Sequence, residues 1–246
     1  MISKAQVKWV KSLQLKKYRQ EEQCFMVQGM KGVEELLQSD FVVELITGTK
    51  HALEQISKRS KRPSQYVEAT VRDLEAMGSF QSNDSILAVA RMKENHSPKP
   101  NPSEYYLVLD DIRDPGNLGT IIRTADWFGI KHIIASEHTA DFYNPKVINA
   151  TMGSFCRVQV NYADIVFYLR DCEVSVYGAF LSGTNVHDEE FTRGGLLIIG
   201  NESNGISPAV EQYVRHRISI PGSGKAESLN AAIATGIILD NVFRSK

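Results

Sequence analysis

The sequence has little cysteine and few aromatic residues, and it lacks a long apolar run. Three of its 246 residues are cysteine, and 9% are aromatic. Cys24, Cys156 and Cys172 are widely spaced, and the histidines do not have zinc-ligand spacing. A disulfide framework and a metal site are therefore not expected, and we predict that the three thiols are packing residues.

The missing apolar run excludes a membrane-spanning helix, which needs about 18 to 20 consecutive apolar residues. Hydrophobic stretches such as residues 196–200 have only the length of a strand. Residues 1–15 interleave lysines with apolar side chains and lack the continuous apolar part of a signal peptide. We expect a cytoplasmic protein with no membrane partner.

Charge is almost balanced over the whole chain, at −1, but it is unevenly distributed. Residues 1–99 carry 16 Lys and Arg against 12 Asp and Glu, whereas residues 100–246 carry 12 against 17. The first twenty residues contain no anion and six cations: Lys4, Lys8, Lys11, Lys16, Lys17 and Arg19. Such a cluster is typical of a surface that binds a polyanion, although a solvated helix face has the same composition.

A proline-rich segment divides the chain. Residues 93–104, KENHSPKPNPSE, contain three prolines and no large apolar residue, which is typical of an extended linker. We predict a domain at residues 1–93, a linker at 94–104 and a second domain at 105–246. The first is predicted to be a small α/β domain, with helices at 30–38, 53–58 and 71–77 and strands at 41–46, 66–69 and 86–92.

The second domain alternates short apolar runs with helical segments. The runs lie at 105–109, 132–136, 174–180, 196–200 and 218–221. This alternation predicts a parallel sheet that is covered on both faces. Ligands of such sheets bind beyond the carboxyl ends of the strands, so the residues that follow each run are candidates for function.

The first of these strand exits combines an amide with a guanidinium. Residues 110–125 read DDIRDPGNLGTIIRTA, in which a Pro-Gly turn leads into a helix. Asn117 and Arg123 are six residues apart, so in a helix that begins near Asn117 their side chains lie on roughly one side. The pair suits a phosphate or a sugar hydroxyl, although a capped helix with a surface arginine has the same pattern.

Two further exits are a polar turn and a glycine-rich loop. Residues 200–205 read GNESNG, and residues 220–230 read IPGSGKAESLN before an Ala-rich helix. Ser228 is predicted to cap that helix. The phosphate-binding pattern G-x-x-x-x-G-K-[ST] fails at Ser219 and Ala226, and G-x-G-x-x-G is missing after the first run. A nucleotide-phosphate or dinucleotide site is therefore disfavoured.

Together the three exits resemble the three motifs of the SpoU (TrmH) family of RNA ribose 2′-O-methyltransferases, within the SPOUT class. The matching patterns are D-x-x-x-D-P-x-N-x-G-x-I-x-R-T-A, G-N-E-x-x-G-I and I-P-x-x-G-x-x-x-S-L-N, in that order. A weaker likeness to the family's substrate-recruiting domain covers residues 18–29. Two positions depart from the family: Gln28 stands where Glu is usual, and Gly222 replaces a common Met.

The resemblance implies an α/β fold in which a parallel-sheet SPOUT domain with a C-terminal trefoil knot follows a small α/β substrate-binding domain. It also implies S-adenosylmethionine as cofactor, a homodimer, and RNA as the methyl acceptor, with ribosomal RNA expected. Transfer RNA is one alternative, and a non-catalytic RNA-binding or ribosome-assembly factor with the same fold is another. A dehydrogenase or phosphotransferase would need the glycine patterns that are missing.

Carried over position by position, the motifs imply three sets of site residues. The catalytic set is Arg123, Asn117, Glu202, Ser228 and Asn230. The cofactor-binding set is Leu181, Gly200, Asn201, Glu202, Ile220, Ser228, Leu229 and Asn230. The RNA-binding set is Lys4, Lys8, Lys11, Arg19 and Arg123. Because a guanidinium stays protonated, we expect Arg123 to hold a phosphate and stabilise an alkoxide rather than act as a base.

Overall fold

The structure of the chain is a computed structural model, and it describes residues 1–59, 66–78 and 85–244. The chain forms two compact units. The N-terminal unit consists of Met1–Glu94 together with Asp141–Cys156, and the C-terminal unit consists of Asn95–Ala140 together with Arg157–Lys246.

Helices and strands alternate along most of the described chain. Up to residue 94 the elements are α1 (Lys4–Ser12), α2 (Lys16–Glu22), β1 (Cys24–Gln28), α3 (Met30–Gln38), β2 (Val43–Gly48), α4 (Lys50–Arg59), β3 (Tyr66–Glu68), α5 (Val71–Met77) and β4 (Ile86–Arg91). Those that follow are β5 (Tyr105–Asp110), α6 (Pro115–Trp127), β6 (His132–Ala135), α7 (Pro145–Ala150), β7 (Gln159–Tyr162), α8 (Ile165–Arg170), β8 (Val176–Asn185), β9 (Gly195–Gly200), α9 (Pro208–Glu211), β10 (His216–Ser219) and α10 (Ala231–Arg244).

The N-terminal unit is built on a mixed sheet with the strand order β1-β4-β2-β3. β4 is antiparallel to both of its neighbours, and β2 is parallel to β3. Ser3 begins α1 through a capping box, in which its hydroxyl accepts from the Gln6 N–H at 3.2 Å and the Gln6 side chain accepts in return. Val10 and Leu13 then bury their side chains in the core that the sheet provides.

The segment 141–156 packs in the N-terminal unit, although the sequence places it in the second domain. The ring of Phe25 lies 4.7 Å from that of Tyr143 and 6.0 Å from that of Phe155. Burial raises the pKa of Tyr143 to about 12, and its hydroxyl accepts from the Lys93 N–H. Aromatic contacts between residues so distant in the chain leave no signal in local spacing.

The C-terminal unit contains a six-stranded sheet with the order β10-β8-β9-β5-β6-β7, and every neighbouring pair is parallel. This confirms the parallel sheet that the sequence predicts. All of β5 is buried, and so is β9 except for Gly200. These strands read as continuous apolar runs because both of their faces are covered.

The predicted linker is extended, but most of it is fixed to the C-terminal unit. Asn95 pairs with Tyr162 of β7 through two hydrogen bonds of 2.8 Å, so that its side-chain amide acts as the next strand would. The Pro98 carbonyl accepts from the Tyr168 hydroxyl at 2.8 Å. The segment thus covers an edge of the sheet and bonds to backbone groups at the outer side of β7.

The three cysteines have free thiols; Cys24 and Cys172 are buried, and burial raises the pKa of both thiols. Within the described ranges, no helix is long and apolar enough to cross a membrane. The same ranges contain no group of three or more His, Cys, Asp or Glu side chains arranged to hold a metal ion.

Candidate functional site

The carboxyl ends of β5 and β9 bring the first two sequence motifs together. Asp110, the last residue of β5, is the register partner of Gly200, the last residue of β9. The strand order places these ends where the chain direction across the sheet reverses, and this is where open parallel sheets bind ligands.

Asn230, Asn117 and Glu202 form a chain of hydrogen bonds at this edge. The Asn230 Nδ2 donates to the Asn117 Oδ1 at 2.8 Å, and the Asn117 Nδ2 donates to the Glu202 Oε1 at 2.6 Å. Along the chain, Asn117 is 85 positions from Glu202 and 113 positions from Asn230. The structure therefore joins three of the predicted catalytic residues, one from each motif.

Helix capping fixes the direction of this chain. Asp114 is the N-cap of α6, and its Oδ1 accepts from the Asn117 N–H at 2.8 Å. Pro115 is the first residue of the helix, so Asn117 lies in the first turn. The Asn230 Oδ1 accepts from the N–H groups of Ala232 and Ile233, so its Nδ2 is the end that remains for Asn117.

The cap of α10 corrects a prediction from the sequence. Asn230 caps this helix, and not Ser228, because the helix begins at Ala231 and the Asn230 side chain reaches its first N–H groups. Ser228 lies instead in the exposed loop before the helix and lines the cleft.

Gly200, the last residue of β9, has no room for a side chain. A Cβ on Gly200 would lie 2.2 Å from the Gly205 carbonyl carbon. Asn201 and Gly205 form a two-way backbone bridge, and Gly205 has φ +68°. The turn therefore needs glycine at both positions.

Asn201, predicted to bind the cofactor, uses its side chain to hold this turn. Its Nδ2 donates to the Asp111 carbonyl at 2.8 Å, and its Oδ1 accepts from the Ser203 and Asn204 N–H groups. The buried carboxylate of Asp110 adds a bond from the Ser207 N–H at 2.7 Å. These bonds fix the loop that carries Glu202.

An open cleft of about 1080 Å³ lies beside these residues in the C-terminal unit. Its lining includes seven of the eight residues in the predicted cofactor-binding set: Leu181, Gly200, Asn201, Glu202, Ile220, Ser228 and Leu229. Asn230, the eighth, is in contact with the site through Asn117. The walls combine apolar side chains with backbone groups of the strand ends, as small-molecule sites commonly do.

Four charged residues among those described line the cleft, and three of them, all except Glu202, were not among the predicted site residues. Glu202, Glu211 and Glu227 carry carboxylates, and Arg217 carries the positive charge among the described residues of the lining. Arg217 and Glu211 form an ion pair. They lie outside the three motifs, and only the structure shows that β8 and β10 form a wall of the cleft.

Arg123 projects from α6 into solvent. Its side chain is exposed and makes no hydrogen bond or ion pair with the residues that the structure describes. It does not line the cleft, so the structure brings together Asn117, Glu202 and Asn230 but leaves the guanidinium free for a ligand.

The predicted RNA-binding residues of the N-terminal unit separate into two groups. Lys4, Lys8 and Lys11 are exposed on one face of α1, without an acidic partner in the described part of the chain. Arg19 is 2% exposed, and its guanidinium donates to the Leu13 and Gln14 carbonyls and to Asp141. The prediction is wrong for Arg19, because a buried and paired guanidinium cannot reach a phosphate.

Comparisons with known proteins agree with this architecture. Residues 104–240 match the model of the SpoU rRNA Methylase family, and residues 4–88 match the model of the MRM3-like substrate binding domain. The chain is 30% identical over 237 residues to the 23S rRNA (guanosine(2553)-2′-O)-methyltransferase RlmP of Bacillus subtilis, which covers 95% of this chain and 94% of the relative.

Two solved structures are similar over the whole chain. A protein of Porphyromonas gingivalis, assigned to the TrmH family of RNA methyltransferases, has a TM-score of 0.90 and 36% identity and covers 100% of both chains. An AdoMet-bound rRNA methyltransferase of Sinorhizobium meliloti has a TM-score of 0.88 and 29% identity, covering 100% of this chain and 96% of that one. With its three motifs joined at one sheet edge and a family model matched over more than half its length, the chain belongs to the SpoU rRNA methylase family.

Proposed function

We propose that the C-terminal unit transfers a methyl group from S-adenosylmethionine to a ribose 2′-hydroxyl of RNA. The observation that carries the proposal is the Asn230–Asn117–Glu202 chain beside the cleft. Methyl transfer of this kind is an in-line displacement, which depends on the position of the acceptor oxygen behind the methyl carbon. A rigid set of polar groups next to a cofactor-sized cleft supplies that positioning.

The residues of the cleft fit this cofactor. Three carboxylates and one guanidinium in the lining favour a cationic ligand and disfavour phosphates. S-adenosylmethionine supplies a methyl group on a positively charged sulfur. The backbone at Gly200, Ile220 and Leu229 is available to the adenine and ribose edges, as the family resemblance implies. The S. meliloti relative, solved with AdoMet bound, supports the same assignment.

Glu202, Asn117 and Asn230 are proposed to hold the acceptor ribose, and Arg123 to hold the adjacent phosphate. Arg123 is exposed and free, as a residue that receives a phosphate should be. Its protonated guanidinium stabilises negative charge on the attacking oxygen. The hydroxyl proton passes to water or to a neighbouring group, because a protonated guanidinium carries only donors and cannot accept it.

Ribosomal RNA is the proposed substrate. The relative from B. subtilis is named as a 23S rRNA methyltransferase, and the N-terminal unit presents a lysine face on α1 that suits phosphates. Transfer RNA is the second candidate, and a non-catalytic RNA-binding or ribosome-assembly factor is the third. We place the activity in the cytoplasm, because the relative from B. subtilis is named for a ribosomal RNA substrate.

We also propose the knot and the homodimer that the resemblance implies. β10 lies at the edge of the sheet, whereas α10 returns to pack on α6 and β9, as a threaded C-terminal segment would. Trp127 on α6 is 84% exposed and Ile233 on α10 is 55% exposed. Exposed apolar groups on these neighbouring helices suit contact with a second copy of the chain. The test is the molar mass in solution, which should be that of a dimer for the wild type and that of a monomer for Trp127→Arg.

The decisive experiment maps 2′-O-methyl groups in RNA from cells with and without the protein. Loss of methylation at one ribosomal nucleotide, restored by the wild-type gene, is the expected result. A change confined to transfer RNA would replace the substrate, and no change in either RNA would favour the non-catalytic factor. In vitro, single-turnover methylation by Arg123→Lys should be slower than wild type at every pH, and equal rates would exclude a role for the guanidinium.

A further inference from the structure

The wall of the cleft on the β8 and β10 side carries a group of residues separate from the Asn230–Asn117–Glu202 chain. Phe180 lies in β8, Arg217 in β10 and Glu211 at the end of α9, and all three line the cleft. The sheet order places them away from β5, whose exit carries Asn117.

Arg217 is held in place by two different contacts. The centre of its guanidinium lies 3.6 Å from the centroid of the Phe180 ring, which is a cation–π contact. Its Nη1 donates to a carboxylate oxygen of Glu211. The side chains of Arg217 and Glu211 are 45% and 41% exposed, so both retain polar positions that a ligand in the cleft can reach.

The backbone around this group is shaped to build it. The register between β8 and β10 shifts between Arg217 and Ile218, so residues 179–183 bulge out of the pairing. A Cβ on Gly183 would lie 2.5 Å from the Arg217 carbonyl oxygen, and a Cβ on Gly178 would lie 2.8 Å from the Phe180 ring. The two glycines therefore let the bulge approach β10 and let the Phe180 ring fold against the sheet.

The helix that carries Glu211 is also anchored to the sheet. Glu211 ends α9, whose N-cap is Ser207, and the Ser207 N–H donates to the buried Asp110 carboxylate. Asp110 ends β5, so the ion pair is tied to the same strand exit as the motif loops. An ion pair on a free surface lacks such supports.

We propose that Arg217 and Glu211 form a subsite for the amino-acid end of S-adenosylmethionine, in which Arg217 binds the α-carboxylate and Glu211 binds the α-ammonium. This inference rests on the proposed function and extends it to residues outside the three motifs. A neighbouring cation and anion in a cleft complement a zwitterion, and the guanidinium fork matches a carboxylate in shape as well as charge. With that end held near β8 and β10, the reacting methyl group is left on the Glu202 side of the cleft.

Binding of two ligands to the purified full-length protein tests the subsite. S-adenosylhomocysteine has the amino-acid end, whereas 5′-methylthioadenosine has the adenosine and the thioether without it. We expect Arg217→Gln and Glu211→Gln each to weaken calorimetric binding of S-adenosylhomocysteine about ten-fold and to change binding of 5′-methylthioadenosine by less than two-fold. Arg244→Gln, which removes the exposed Arg244–Asp240 pair outside the cleft, is the matched control and should change neither.

The two ligands also separate a binding role from a structural one. Equal weakening of both ligands by Arg217→Gln would mean that the wall shapes the adenosine site, and unchanged binding of both would mean that the pair touches no ligand. Either result overturns the proposed subsite. If the wild-type protein binds neither ligand, the proposed function itself fails, and the subsite fails with it.

Discussion

At the scale of single residues, the direction of each hydrogen bond determines what a substitution does. The Asn230 Oδ1 caps α10 while its Nδ2 donates to Asn117, so one amide serves the fold and the site at once. Ser228 and Asn230 both have side chains that can cap a helix. The sequence alone favoured Ser228, which is not the cap. The choice follows from where α10 begins, which tertiary packing against α6 decides.

Asn230→Asp separates these two roles. Aspartate caps a helix as well as asparagine does, so the melting temperature should change by no more than a few degrees. An oxygen then faces the Asn117 Oδ1 where a donor stood, and we expect the rate of RNA methylation to fall about 100-fold. Asn101→Asp, at an exposed asparagine outside the cleft, is the control. A methylation rate equal to wild type in Asn230→Asp would contradict a catalytic role for the Asn230–Asn117–Glu202 hydrogen bonds.

His132 gives a pH dependence at the same scale. Burial lowers the pKa of its imidazole, its ring stacks on Tyr106 at 5.2 Å, and its buried Nδ1 has no partner in the described chain. Below its unfolded pKa of about 6.5, the unfolded chain binds this proton more readily than the folded chain. The free energy of unfolding should therefore fall as the pH drops below about 6.5.

His132→Phe keeps the stacked ring and removes the titrating group. We expect urea unfolding of this variant to depend less on pH between about 5 and 7 than that of the wild type. His138→Phe, at an exposed histidine, is the comparison that should keep the wild-type slope. Identical slopes for His132→Phe and the wild type would show that other groups cause the acid sensitivity.

At the scale of elements, prediction succeeded where periodicity was strong. Helix α3 and helix α5 have the predicted bounds, and β5 and β9 match the predicted runs to within one residue at one end. β1, with five residues, and β7, with four, were missed, because spacing alone does not distinguish so short a segment from part of a helix or loop. The linker was predicted to be extended, but its attachment to β7 was not predicted, since side-chain hydrogen bonds such as those of Asn95 leave no signal in composition.

Asn95→Ala tests how the linker is held. The Tyr162 N–H donates to the Asn95 Oδ1 at 2.8 Å, so removal of that amide should expose an edge N–H of β7. We expect hydrogen exchange at the Tyr162 amide to accelerate at least about ten-fold, because local opening no longer breaks this bond. Asn101→Ala leaves the pairing intact and should show wild-type exchange. Slow exchange in Asn95→Ala would mean that the linker is fixed mainly by its other contacts.

At the scale of the whole molecule, residues distant in sequence decide which charges are available. Arg19 and the lysines of α1 belong to one cationic run in the sequence. Arg19, however, is buried in the N-terminal unit, where it pairs with Asp141, 122 residues away. No local pattern distinguishes Arg19 from its neighbours, so its role required the structure. The net charge of −1 is likewise an average over a basic first part and an acidic remainder, and it did not exclude an RNA partner.

This distribution predicts how RNA binding depends on salt. Replacing Lys4, Lys8 and Lys11 by Glu should weaken RNA binding and reduce the slope of log K against log salt by about two to three, because each lost phosphate contact contributes about 0.7–0.9. Binding of S-adenosylhomocysteine should not change, since the cleft belongs to the C-terminal unit. The matched control replaces three other lysines by Glu: Lys31, Lys50 and Lys58. These are exposed and lie, like the α1 lysines, in the N-terminal unit. If both triple variants lose the same affinity and the same slope, net charge rather than the α1 face governs RNA binding.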